Sequence, residues 1–161
     1  METNRLKFVH YDEKYVYDYL EMINDKRVNQ YISRTHKDYD YDSEIEFIKT
    51  VKDKENCFTL IEKENGNFVG TIDLKDCDEP NTKELGICFT YKQVNKKFGR
   101  ESIKRILEYG FNDLKLDLIY LNVHNDNPRA IHCYELCGFK NVGVGLTEND
   151  YRMEIRKEDF K

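Results

Sequence analysis

Apolar residues recur along this chain with two periods, and each change of period marks a new element. Residues 6–9 alternate as a short strand, and Asp12 is placed to cap a helix in which Val16, Tyr19, Leu20 and Ile23 recur at helical spacing. The stretch from Arg27 to Asp42 is polar and rich in tyrosine, and it reads as a loop or short helix lying over some surface. Ser43-Glu44-Ile45-Glu46 has the form of a capping box, with Ile45, Phe47, Ile48 and Val51 giving the following helix an apolar side. Residues 58–61 and 68–74 flank Asn65-Gly66, a pair that supplies the positive φ of a hairpin turn, so two antiparallel strands are expected. A polar turn through Glu79-Pro80-Asn81 leads into a third strand over 84–89, whose Gly86 suggests a bulge or a close backbone approach.

From Gly99 the period becomes 3.6. Ile103, Ile106, Leu107, Phe111 and Leu114 share one side of a helix, and Glu101/Arg105 with Lys104/Glu108 form i,i+4 pairs on the other. Residues 118–123 make a strongly apolar strand. A complete short helix follows: Asn127 is a good N-cap, Pro128 suits the first helical position, and Gly138 provides a left-handed stop before Phe139. Further strands are expected after Gly138 and over 151–155. The order β-α-α-β-β-β-α-β-α-β-β predicts a mixed α/β fold, with a mostly antiparallel sheet and helices on both faces. The strands at 84 and 118, joined through the Gly99 helix, should be parallel neighbours.

Composition narrows the function classes. With 161 residues, 39% hydrophobic and 35% charged, the chain suits one domain over 1–161 that buries a core without metal or disulfides. A net charge of -5 argues against nucleic acid as partner and mildly favours a neutral or cationic substrate. No apolar run is long enough to span a membrane and the N-terminus has no signal-peptide core, so a cytoplasmic protein is expected. The five cysteines include no C-x-x-C pair, and Cys133 and Cys137, sharing a helix face, read as small hydrophobes rather than metal ligands. Edge strands toward the C-terminus leave a homodimer open.

The candidate chemistry lies on the short helix. Asn127 and Tyr134 stand two turns apart on one face, so a ligand along it could meet an amide at one end and a phenol at the other, although a cap and a core tyrosine explain each residue alone. Strand, basic loop, amphipathic helix and strand, followed by Asn127-Pro-x-Ala130-x-x-x-Tyr134-x-x-x-Gly138-Phe139, resemble the GNAT superfamily of acetyl-CoA-dependent N-acetyltransferases. The similarity covers 84–142 well, and the N-terminal half is similar to the branch of ribosomal-protein N-terminal, polyamine and amino-sugar acetyltransferases.

That resemblance implies a sheet splayed between its fourth and fifth strands, with the pantetheine arm of acetyl-CoA filling the gap and pairing with backbone at Ile87, Cys88 and Phe89. Asn127 would hydrogen-bond the same arm. The pyrophosphate loop departs from the family's Arg/Gln-x-x-Gly-x-Gly/Ala, which falls on Val94-Asn95-Lys96-Lys97-Phe98-Gly99 and keeps only the last glycine. Backbone N–H groups at the helix start, with Lys96, Lys97 and Arg100, still suit phosphate, provided that Lys97 takes a left-handed conformation at a cost of about 1–2 kcal/mol. Tyr134 is the expected general acid, because a phenol is protonated at neutral pH. Glu84 is the first choice of base and Asp73 the second. His124 reads as a polar strand-end residue, and Tyr31, His36, Tyr39 and Tyr41 could shape the acceptor pocket. The implied activity is transfer of acetyl to a primary amine of a small molecule or protein N-terminus; the eroded loop leaves a catalytically weak CoA-binding module as the alternative.

Overall fold

The computed structural model describes residues 1–32 and 38–161. Its elements run β1 (Leu6–Val9), α1 (Val16–Asn24), α2 (Lys26–Ile32), α3 (Tyr41–Val51), β2 (Cys57–Glu62), β3 (Phe68–Asp76), β4 (Thr82–Phe89), α4 (Phe98–Glu108), β5 (Leu118–His124), α5 (Pro128–Leu136), β6 (Lys140–Val144) and β7 (Asp150–Arg156). The strands order as β1-β2-β3-β4-β5-β7-β6 in one mixed sheet. The chain gathers into two compact units, 1–73 with 87–98 and 74–86 with 99–161.

In the first unit Tyr11, Val16, Tyr19, Ile48, Val51 and Cys57 form an apolar cluster beneath α1 and α3. The Tyr19 hydroxyl is satisfied inside it by Thr59 Oγ1 at 2.6 Å and by the Asp12 amide. Asp12 accepts from Lys14 N, but it caps a single 3-10 turn before α1 begins. The tyrosine-rich stretch contains a true helix, α2, which adds one element to the expected order; Asp25 starts it by accepting from Arg27 N, and Arg27 lies 3.7 Å over the Tyr91 ring. Asp40, not Ser43, caps α3: its carboxylate accepts from Ser43 N at 2.8 Å, and the Ser43 hydroxyl donates back to the Asp40 carbonyl. The helix therefore starts earlier than the capping-box reading places it, and Phe47 is left exposed.

Gly66 takes φ +73 in the β2–β3 connection, and the ladder slips by a bulge between Leu60 and Ile61. The close backbone approach expected at Gly86 occurs at Gly70, where a Cβ would lie 2.1 Å from the Cys88 carbonyl oxygen; at Gly86 it would meet the Lys75 side chain.

The second unit is built on β5, which pairs in parallel with β4 over Thr82–Glu84 and antiparallel with β7 along its whole length. The parallel ladder ends at Glu84 and Tyr120, although β4 continues to Phe89 and β5 to His124. Ile119, Leu121, Val123, Met153 and Ile155 point to one side of these strands and are nearly inaccessible, as are Ile103, Ile106 and Leu107 of α4 and Phe111 in the helical turn that follows it. Each such side chain contributes about 1.5–3 kcal/mol of burial. Gly138 takes φ +102, which no β-carbon favours, and so turns the chain after α5 to bury Phe139. Strand β6 lies at the sheet edge with all five residues exposed.

Candidate active site

The sheet face opposite the β5 core carries the polar half of an alternation that begins in the sequence: Tyr120, Asn122 and His124 interleave with Ile119, Leu121 and Val123. Register then fixes their neighbours, setting Tyr120 beside Glu84 and Glu154, Asn122 beside Arg152, and His124 beside Asp150. Glu84 Oε1 accepts from Asn122 Nδ2 at 3.1 Å. Arg152 donates to both carboxylate oxygens of Glu79, at 2.9 and 3.1 Å, and to Glu154 at 2.9 Å, with its guanidinium 3.8 Å above the Tyr120 ring. Burial, and then the Glu84 carboxylate, push the Tyr120 phenol up to about 12. Tyr120, Asn122 and Arg152 were not singled out as site residues, yet the period-two polar positions of β5 are the signal that could have found two of them.

Helix α5 stands in the same unit. Asn127 Oδ1 accepts from Ala130 N at 3.4 Å and so caps it, while the Asn127 amide donates to the His124 carbonyl. His124 also accepts from Asp126 N through Nδ1 at 3.1 Å, which makes it the corner of the β5–α5 turn. Tyr134 is half-buried and packs edge-on against Phe139 at 6.0 Å. Cys133 is held below the usual thiol range by Cys137, one turn on, and by Arg100 of α4, which places that arginine beside the helix carrying Tyr134.

The first unit holds Ile87, Cys88, Phe89 and the loop Asn95–Phe98. Asn95 and Lys97 take φ +69 and +65, the left-handed conformation that the missing glycine demands. Positive φ in a loop that enters a helix is how successive N–H groups of an anion-binding nest come to point the same way. The loop is anchored from β1's side of the chain: Arg5 Nη1 donates to the Lys96 carbonyl at 3.1 Å, and its guanidinium lies 4.3 Å over the buried Phe98 ring. Asp73 is engaged structurally, accepting from the Tyr11 hydroxyl at 3.2 Å and from Phe58 N at 3.2 Å. Burial, then Asp73, push the Cys88 thiol up to about 12. Tyr39 exchanges two hydrogen bonds with the Asn24 side chain, and Tyr41 lies beside Tyr17, while Tyr31 is exposed. His36 falls outside the described residues. Among the described residues, no group of three or more His, Cys, Asp or Glu could hold a metal ion.

The lysines and nest-forming dihedrals of the Asn95–Phe98 loop suit an anionic ligand. Residues 5–140 match the family described as the acetyltransferase (GNAT) domain. The chain is 28% identical over 163 residues to spermidine N(1)-acetyltransferase of Vibrio cholerae, covering all of this chain and 87% of that protein. Its fold superposes on a GNAT-family acetyltransferase of Bacillus anthracis with a TM-score of 0.86 at 22% identity, covering 98% of both chains. It superposes on the Vibrio cholerae spermidine N-acetyltransferase in complex with CoA and spermine with a TM-score of 0.82 at 23% identity, again covering 98% of both. The chain therefore belongs to the GNAT acetyltransferase family and is an acetyl-CoA-dependent N-acetyltransferase acting on an amine.

Proposed function

We propose that the acceptor is a polyamine of the spermidine class, and that residues 1–161 act as one catalytic domain. The observation that carries this reading is the full-length similarity to a spermidine acetyltransferase. Charge supports it: the net charge is -5, and the polar face of β4, β5 and β7 carries Glu84 and Glu154, with Glu79 and Glu154 both paired to Arg152. A polyamine is a flexible polycation, and such a face lowers its energy without demanding one fixed pose.

Acetyl-CoA, as substrate, supplies an activated thioester. Backbone groups of Ile87, Cys88 and Phe89 would pair with its pantetheine arm and Asn127 would hold it, while Asn95, Lys96, Lys97, Phe98, Gly99 and Arg100 would receive the pyrophosphate. An N–H of Cys88 or Phe89 would polarise the carbonyl. The ammonium of the acceptor must first lose a proton, which Glu84 takes directly or through water. As the N–C bond forms and the C–S bond breaks, Tyr134, a phenol protonated at neutral pH, gives its proton to the departing sulfur, and the remaining surplus proton on the acylated nitrogen returns to the Tyr134 phenolate, directly or through water, to leave the amide and the free thiol.

The test is thiol release from acetyl-CoA with spermidine, spermine, an amino sugar and an N-terminal peptide as acceptors, repeated with Tyr134→Phe and Glu84→Gln. The expected outcome is fastest release with spermidine or spermine, and a drop of about 10²-fold in kcat for each variant. Preference for the sugar or peptide would refute the acceptor, and a full rate in either variant would remove that residue from its role.

A further inference from the structure

We infer that Asn122 is a positioning residue: it holds the Glu84 carboxylate and ties it to the loop between β6 and β7. The inference rests on the reading of Glu84 as the group that takes the acceptor's proton. Asn122 lies two residues past the end of the β4–β5 ladder, on the same face as Tyr120, so its side chain reaches back diagonally to Glu84. Its amide makes two contacts in opposite directions. Nδ2 donates to Glu84 Oε1 at 3.1 Å, and Oδ1 accepts from Leu146 N at 2.9 Å. Because a backbone N–H can only donate, the second bond fixes which end of the amide is oxygen, and the nitrogen must then face Glu84.

The loop is shaped around this residue. A Cβ on Gly145 would lie 2.5 Å from Asn122 Oδ1 and 3.0 Å from Asp150 Cβ, so only glycine lets the chain pass so close. Asp150 accepts from Thr147 N and Thr147 Oγ1, and its carbonyl accepts from Gly145 N, closing the loop on itself. Glu84 is thereby linked through one neutral amide to a loop that carries the exposed Leu146. The other titratable groups on this face are Tyr120 and His124 from β5, Asp150, Arg152 and Glu154 from β7, Cys77 beside Tyr120, Glu79 on Arg152, and Lys75 from β3, whose side chain passes where a side chain on Gly86 would stand. Arg152 is taken up by Glu79 and Glu154, so the amide is the fixed donor to Glu84.

Asn122→Asp separates the two bonds. It is isosteric, and one carboxylate oxygen still accepts from Leu146 N, so the loop keeps its anchor. The other oxygen replaces a donor with an acceptor 3.1 Å from Glu84, and two facing carboxylates resist ionising together. The experiment follows the ¹³C carboxyl titration of Glu84, assigned by its loss in Glu84→Gln, in wild type, Asn122→Asp and Asn122→Leu. It is paired with the pH dependence of kcat/KM for acetyl-CoA with spermidine. In Asn122→Asp the Glu84 midpoint should rise by about one pH unit or more and the acid limb of the rate profile with it, while the melting temperature stays within a few degrees of wild type. In Asn122→Leu, which removes both bonds, kcat should fall roughly tenfold or more with little change in the KM for acetyl-CoA. An unmoved Glu84 titration in Asn122→Asp would overturn the inference even if Glu84 proves to be the base. A full rate in Glu84→Gln would instead overturn the reading on which it rests, and the positioning role with it.

Discussion

A methyl group on Gly70 of β3 would lie 2.1 Å from the Cys88 carbonyl oxygen, 2.7 Å from Phe89 Cδ1 and 2.9 Å from Phe89 Cα. Carbon and oxygen atoms that are not bonded rarely approach within about 3.3 Å, so the overlap exceeds an ångström and most of it falls on backbone. Backbone cannot swing aside as the end of a side chain can. It is also pinned nearby, where Thr90 N donates to the Val69 carbonyl at 3.0 Å. Gly70→Ala should therefore sit at the upper end of overpacking costs, about 3 kcal/mol, which for a chain of this size lowers the melting temperature by about 6–12 °C. Gly86→Ala is the internal control: its methyl group would lie 2.9 and 3.0 Å from Lys75 Cε and Nζ, atoms free to rotate away, and should change stability by less than about 0.5 kcal/mol. Thermal unfolding followed by circular dichroism measures both, and repeating it with acetyl-CoA asks whether displacement of Cys88 and Phe89 also weakens the ligand's stabilisation. A Gly70→Ala variant melting within about 2 °C of wild type, or a Gly86→Ala variant falling as far, would refute the argument.

Three further outcomes follow from the same geometry. Lys97→Gly relieves a side chain held at φ +65 and should raise stability by about 0.5–1 kcal/mol, while weakening acetyl-CoA a few-fold at low salt; calorimetric titration should show that loss shrink as salt screens the charge. Arg5→Ala removes the bond to the Lys96 carbonyl and the cation over Phe98, and should lower unfolding free energy in urea by about 1 kcal/mol and weaken acetyl-CoA; equal affinity would show that the loop holds its shape unaided. The Cys88 thiol is raised from 9.0 to about 12, so its contribution is intact below pH 9 and is lost as pH rises toward 12, roughly 1 kcal/mol by pH 10. In Cys88→Ala the alkaline decline in urea stability should still begin near pH 9, because the Cys137 thiol is also raised, by Cys133 and by burial, but it should be smaller by roughly 1 kcal/mol at pH 10; a decline as large as that of wild type would contradict the assignment.

Much of the fold could be read along the chain because its signals are local. The caps and glycine stop of α5, the 3.6 period of α4 and the alternation of β5 each depend on residues within a few positions, and so does the left-handed Lys97, which follows from where a glycine is missing. Where two local signals compete, sequence order alone misplaces the boundary: Asp40 and Ser43 are both good caps, and the choice fell to the one whose carboxylate reaches the free amide. The site was legible in its residue types and not in its partners. Glu84 meets Asn122 across 38 positions, Asp73 meets Tyr11 across 62, and Arg5 meets the Lys96 carbonyl across 91. Those distances in sequence carry no periodic or capping signal, since a side chain's partner is set by strand order and register. Tertiary structure alone therefore decided that Asp73 is held by Tyr11 and Phe58 while Glu84 keeps a neutral amide as its donor, a difference in surroundings between two carboxylates that look alike along the chain.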